Sequence, residues 1–182
     1  SMKYEITPMT LPLERPFAIT GHTFTNLEAV VVTLTDGEKV GRGEGDGVYY
    51  LGENQQNMID QLESVRTRVE SGMSREELQD ALPAGGARNA LDCALWDLEC
   101  KSTGQRIWKL LGMQPKTLNT VATVGMGTSQ EMAARSLDFS SYPSLKIKLD
   151  NQDPIAKLDA IRKARPEAKL VIDVNQGWEY QE

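Results

Sequence analysis

The chain has 182 residues, enough for one domain or one and a half. Hydrophobic residues make up 40% and charged residues 25%, the balance of an ordinary globular protein. A net charge of −6 with no basic block argues against a nucleic-acid partner, and the absence of any apolar run near 18 residues argues against a membrane span.

The N-terminus lacks a signal-peptide core, and Ser1 ahead of Met2 reads as a remnant of cloning. Residues 2–10 and 26–35 are predicted strands, the second a β-branched run ending in the turn signal Asp36-Gly37. Lys39–Glu44 is the returning strand. The stretch LPLERPFAITGHTFTN between the first two strands is expected to be a long polar-aromatic loop, and GEGDGVYYLGEN (43–54) a second, glycine-rich one. Gln55–Ser71 has Met58, Ile59, Leu62, Val65 and Val69 on one helical face. Ser74–Leu82 is a short helix opened by the capping-box pattern Ser74-x-x-Glu77. Ala87–Lys101 is the strongest helix, with a narrow stripe of Ala87, Ala90, Leu91, Ala94, Leu95 and Leu98 suited to close packing. Gly104 ends it, and Ile107–Leu111 adds one more turn. Cys93 and Cys100, seven residues apart in this helix and in no CxxC pattern, are expected to be buried thiols of a reducing cytosol, which makes the expected location cytoplasmic.

After Pro115 the rhythm changes to strand Thr117–Val124, helix Ser129–Phe139, strand Leu145–Leu149, helix Pro154–Ala164 and strand Leu170–Val174. Such alternation implies parallel strands joined by right-handed crossovers. The expected division is an N-terminal α+β domain over 1–115 and a β/α domain over 116–182.

The chemistry lies in the second part. In SLKIKLD, Lys146 and Lys148 are spaced i, i+2, as are Asp173 and Asn175 in KLVIDVNQGW. On strands, that spacing puts both members of a pair on one side and leaves Leu145, Ile147, Leu149, Leu170, Ile172 and Val174 on the other. A Lys-x-Lys pair on a strand is ordinarily a solvated face. Here every intervening residue is apolar and the next strand repeats the pattern, so two ammonium groups, a carboxylate and an amide are aimed into one interior. Charges are too costly to desolvate for packing alone. A lysine acts as a base near neutrality when burial or a second cation disfavours its charged form. A hard divalent cation takes oxygen ligands, of which Asp173 offers one. The set suits removal of a proton α to a carboxylate. Other motifs fare worse. The Gly-x-Gly spacings of Gly41–Gly47 follow a hairpin strand and carry two acids, which a phosphate cradle would not. With one histidine, His22, and no nucleophile elbow, a Ser-His-Asp site is not supported.

These residues resemble the enolase superfamily, in particular its muconate-lactonizing-type subgroup and, within it, the dipeptide epimerases. The resemblance runs along the whole chain through RPFAITG (15–21), GGARNALDCALWDLECKSTGQRIWKLLG (85–112), Thr123-Val124-Gly125, LKIKL (145–149) and IDVNQGW (172–178). It implies an α+β capping domain followed by the first part of a (β/α) barrel, with about three of eight βα units present. It also implies Mg²⁺ as cofactor, and a reaction in which the α-proton of a dipeptide or N-acyl amino acid is abstracted to give an enediolate. Lys148 would be the acid/base on one face of the α-carbon. Lys146 would bind the substrate carboxylate beside it, Asp173 would be the first Mg²⁺ ligand, and Asn175 would lie near the metal. Thr123 would contact substrate from the end of the first barrel strand. The loops around 17–25 and 45–53, with Thr20 and His22 in the first, would set specificity. His22 stands where related enzymes often carry an arginine, which weakens any expected preference for an acidic second residue. Two further carboxylate ligands, a second lysine and an acidic motif for the dipeptide's amino group belong to later strands. The expectation is therefore an N-terminal part of a longer enzyme that is inactive by itself. The small-molecule substrate and a homo-oligomer are the expected partners, with neither nucleic acid nor membrane. An o-succinylbenzoate synthase or muconate cycloisomerase would share the lysines, and a non-catalytic half-barrel that pairs through open edges is the alternative of a different class.

Overall fold

The computed structural model describes residues 2–181. By internal contacts the chain forms two units: residues up to Pro12 with Asn26–Lys116, and Leu13–Thr25 with the residues from Thr117 onward.

An antiparallel sheet of order β1-β2-β3 comprises β1 (Lys3–Ile19), β2 (His22–Asp36) and β3 (Lys39–Asp46). The loop expected over residues 11–25 is instead strand on both sides of a turn at Thr20-Gly21, with Gly21 at φ 75. Pro12 and Pro16 obscured it. With Pro8 they are evenly spaced, which puts the missing N–H groups on one side, as an edge strand such as β1 tolerates. The Asp36-Gly37 signal holds: Asp36 pairs with Lys39 across a two-residue loop with Gly37 at φ 58. Of the glycine-rich segment 43–54, the first four residues continue β3 and Tyr49–Leu51 form a 3₁₀ turn.

The helices of the first unit are α1 (Gln55–Ser64), α2 (Arg66–Glu70), α3 (Arg75–Ala81), α4 (Gly86–Thr103) and α5 (Ile107–Leu110). Helices α1 and α2 replace the single helix expected over 55–71. The apolar face continues through the break at Val65, where ψ is 4, so the pattern gave no sign of it. Reciprocal capping boxes open α1 (Asn54/Asn57) and α3 (Ser74/Glu77). All six residues of the small-residue stripe on α4 are buried, alongside Val30, Val32 and Leu34 of β2 and Met58 and Leu62 of α1. The Gly-x-Gly row of β3 is the other half of that packing. A Cβ at Gly41 would fall 2.6 Å from Leu98 Cβ, one at Gly43 2.6 Å from the Ala94 nitrogen, and one at Gly45 2.9 Å from the Gly86 carbonyl carbon. The glycines let α4 lie directly on the strand. Gly43→Val is accordingly expected to cost on the order of 3 kcal/mol in urea unfolding, whereas Glu44→Ala, on the exposed side of the same strand, costs under about 0.5 kcal/mol. Equal costs would refute the packing role. Cys93 and Cys100 depart from expectation: Cys93 is exposed and Cys100 half-buried, both as free thiols. They lie beside the apolar stripe, on the shoulder of α4 that lines an open cavity of about 630 Å³ with Trp96, Asp97 and Ile107.

In the second unit, β4 (Ala122–Val124), β5 (Ser144–Lys148) and β6 (Lys169–Asp173) form a parallel sheet of order β4-β5-β6, connected by α6 (Ser129–Asp138) and α7 (Pro154–Ala164). This is the expected βαβαβ run. Strand β4 is shorter than the predicted Thr117–Val124; Leu118 and Val121 are exposed and add nothing to the core. Leu145, Ile147 and Leu149 pack with Val124, Met132 and Ile161. Ile172, placed on the apolar side of its strand by the sequence, is 43% exposed. Arg165, almost fully buried, donates to the carbonyls of Ser136, Phe139 and Tyr142 at 2.8–2.9 Å, closing the C-terminal end of α6 with a cation.

Candidate active site

The C-terminal ends of β5 and β6 carry the charged residues. In the parallel register Lys148 pairs with Asp173, and Lys146 with Val171 on one side and Thr123 on the other. Lys148 Nζ donates to Asp173 Oδ2 at 2.9 Å and to Asn175 Oδ1 at 2.7 Å. Lys146 Nζ lies 2.9 Å from the same Asp173 Oδ2. The lysines differ in surroundings: the Lys148 side chain is 9% exposed and that of Lys146 35%. Two ammonium groups thus share one carboxylate oxygen, and the cluster carries a surplus positive charge. The hydrogen bonds from Lys146 and Lys148, with the Asn175 backbone N–H added, hold the Asp173 carboxyl far below the usual carboxylate range.

Asn175 reaches Lys148 by a route that strand spacing does not describe. Strand β6 ends at Asp173, and Asn175 and Gln176 stand in the left-handed region at φ 43 and 63. The Asn175 N–H donates to Asp173 Oδ1 at 3.0 Å, an Asx turn, and the Gly177 N–H donates to the Val174 carbonyl at 2.8 Å. Left-handed backbone costs roughly 1 kcal/mol or more per non-glycine residue, so this turn persists through what surrounds it.

The tip of the β1–β2 hairpin belongs to this unit. Thr20 Oγ1 donates to the Val174 carbonyl at 2.9 Å. The Phe17 ring centroid lies 6.0 Å from Lys148 Nζ, at the limit of a cation–π contact. His22 is half-buried, with its ring edge-on to Phe24 at 4.4 Å between centroids. Thr123 is half-buried one strand from Lys146. The structure therefore brings Lys146, Lys148, Asp173 and Asn175 into one bonded group, places Thr123 in the neighbouring strand, and puts Thr20 and His22 on the hairpin tip. Sequence reasoning missed Phe17, whose signal was only its place beside Ala18-Ile19 in a segment taken for loop. It also missed two anchors. Glu53 accepts from the Val48 and Gly86 N–H groups at 2.8 and 2.7 Å, and the Trp178 indole donates to the Asp150 carbonyl at 2.8 Å.

Asp173 and Asn175 offer hard oxygen donors, the right kind for Mg²⁺. Among the described residues no three His, Cys, Asp or Glu side chains gather as a metal site, so these two donors do not make a closed site by themselves.

Residues 2–112 match the mandelate racemase / muconate lactonizing enzyme N-terminal domain. The chain belongs to that family, within the enolase superfamily. Its relatives include the L-Ala-D/L-Glu epimerase of Escherichia coli K12, 41% identical over 92% of this chain and 53% of that protein. An N-acetyl-D-glutamate racemase of a Pseudoalteromonas species is 40% identical over 58% of this chain and 34% of its own length. Among solved structures, an enolase family member from Agrobacterium tumefaciens with homology to dipeptide epimerases, holding sodium and L-Ala-L-Glu, superposes with a TM-score of 0.93. It is 36% identical, over all of this chain and 56% of that one. The chain thus spans about half the length of the Escherichia coli and Agrobacterium proteins. The fold is that of the family's N-terminal α+β domain followed by the first βα units of the barrel. Among the described residues no helix is long and apolar enough to cross a membrane.

Proposed function

We propose that the whole protein is a Mg²⁺-dependent epimerase that removes and returns the α-proton of a dipeptide carboxylate. The observation that carries this reading is the convergence of Lys146 and Lys148 on one oxygen of Asp173. A cluster with surplus positive charge attracts an anionic substrate. Lys146, the more exposed cation, binds the substrate carboxylate. Lys148, enclosed and aimed by Asp173 and Asn175, exchanges a proton at Nζ with one face of the α-carbon. Phe17 lies over that amine and helps keep water from it. Asp173, with Asn175 nearby, would hold the cation, which when bound supplies positive charge against the charge developing on the substrate carboxylate. Thr123 contacts the substrate from the end of β4. His22 takes part in recognising the second residue with less charge than a guanidinium would bring, so the preference for an acidic residue there is modest.

Support for a dipeptide comes from the epimerase relative and from the L-Ala-L-Glu in the Agrobacterium structure. The N-acetyl-D-glutamate racemase relative favours an N-acyl amino acid as the second reading. Deuterium wash-in at the α-carbon, measured on the full-length protein with Mg²⁺, separates them. Exchange is expected with L-Ala-L-Glu and other L-Ala-X dipeptides. Exchange with N-acetylglutamate alone would shift the substrate class, and none with either would overturn the reading. A polypeptide confined to residues 1–182 is expected to give no exchange, because Asp173 alone is a weak Mg²⁺ site.

A further inference from the structure

We propose that Thr20 is a positioning residue that fixes the aim of Lys148 through Asn175; this rests on the reading of Lys148 as the proton-transferring group. Asn175 Oδ1 is one of the two acceptors that orient the Lys148 ammonium. It sits beyond the end of β6, where the strand ladder no longer fixes the backbone, in a turn with two consecutive left-handed residues. Such a turn stays in place when other groups hold it. Two donors meet on one atom to do so: the Gly177 N–H and the Thr20 hydroxyl both donate to the Val174 carbonyl, at 2.8 and 2.9 Å. The first is local to the turn. The second arrives from the hairpin tip, 154 residues away in the chain, and ties the turn to a separate element of the unit.

The seat is tight. A Cβ on Gly177 would fall 2.7 Å from Thr20 Oγ1, so the glycine is what lets the threonine approach. The tip is further held by the Met126 N–H, which reaches the Ala18 carbonyl at 3.5 Å. Removing the hydroxyl leaves the turn with its local bonds only, the Gly177 N–H to the Val174 carbonyl and the Asn175 N–H to Asp173 Oδ1, and loosens its hold on the left-handed angles. Asn175 Oδ1 then leaves Lys148, and Asp173, which Lys146 also claims, is the sole acceptor orienting the amine. A hydroxyl whose proton is given to a backbone carbonyl does not donate it to substrate. The loss should therefore appear in proton transfer on the face served by Lys148, and not in binding.

The test uses Thr20→Val and Thr20→Ser in the full-length protein. Thr20→Val is expected to slow deuterium wash-in from the Lys148 face about tenfold, with the opposite enantiomer and KM within about twofold, since a small misplacement of a reacting group has a large effect on rate. Thr20→Ser, which keeps the hydroxyl, restores the rate. Amide exchange of the 174–178 segment is expected to quicken in Thr20→Val and return in Thr20→Ser, and this readout needs no activity. A raised KM with unchanged wash-in, equal losses for both enantiomers, or unaltered exchange of 174–178 would each overturn the proposal. Absence of wash-in from the unmodified enzyme would instead sink the catalytic reading, and the amide exchange would still decide whether Thr20 holds the turn.

Discussion

Lys148→Ala in the full-length protein is expected to lower α-proton exchange from one enantiomer of its dipeptide by about 10³-fold or more, while the fold survives; general acid–base groups contribute roughly 10²–10⁴-fold. The selectivity for one enantiomer follows from position. Lys148 closes β5, in the middle of the parallel sheet, and its amine is fixed by two acceptors at 2.9 and 2.7 Å. A group held in that way reaches one face of a substrate carbon. The tolerance of the fold follows from what remains. Leu145, Ile147 and Leu149 point to the opposite side and keep their packing. Asp173 keeps Lys146 as its partner at 2.9 Å, so truncation leaves no orphaned carboxylate. Lys146→Ala should behave differently, raising KM more than it lowers exchange, because the more exposed ammonium is the one that meets the substrate carboxylate. Equal wash-in of both enantiomers in Lys148→Ala would remove the residue from the mechanism. An unfolded Lys148→Ala protein would mean that the pair is structural, and Lys148→Met, which keeps the stem, would then fold while still failing to exchange.

The fold was legible where local pattern and global structure agree. The βαβαβ run after residue 117 could be read from alternating periods, and α7 appeared at Pro154–Ala164 because proline and the apolar spacing marked it together. The pairing of Lys148 with Asp173 could be suspected but not read, since inter-strand register is set by how β5 and β6 align and not by either segment alone. The hairpin through residues 11–25 was lost to two prolines, Pro12 and Pro16, that an edge strand accommodates. The packing role of the glycine row of β3 needed α4 laid against it, because a missing Cβ means nothing until a neighbour occupies the space. At the site, Asp173 and the lysines announced themselves as charges amid apolar residues. Asn175 was found for the wrong reason, since a left-handed turn and not strand alternation brings it to Lys148. Thr20 and Phe17 had no local signal of their contacts, because each meets a residue more than a hundred positions away.

Asp173→Asn is expected to have two separable effects. The amide keeps the shape but withdraws the single charge that the two lysines share and the one carboxylate these residues offer a cation. Mg²⁺ affinity of the full-length protein, measured by titration calorimetry, should fall by at least about 100-fold, more than the roughly 10–100-fold that follows loss of an outer partner of a metal ligand. The second effect appears without metal. The Asp173 carboxyl is held far below its ordinary range by Lys146 and Lys148, so its folded value is depressed relative to the unfolded chain, where a carboxyl of this type titrates near about 3.9. The unfolded state therefore takes up the proton first as pH falls. The stabilising contribution is fully present above about pH 4 and is lost progressively below it. With Mg²⁺ chelated, the thermal midpoint of the unsubstituted protein should exceed that of Asp173→Asn at pH 7, and the gap should narrow as pH drops from about 4 toward 2. Replacement leaves Lys146 and Lys148 facing each other with no anion between them, which sets the sign at neutral pH. A variant with unaltered Mg²⁺ affinity would dismiss Asp173 as a ligand. Midpoint curves that run parallel from pH 7 to the acid limit would show instead that the carboxylate does not hold the two lysines in solution, and with it would fall the convergence on which the proposed chemistry stands.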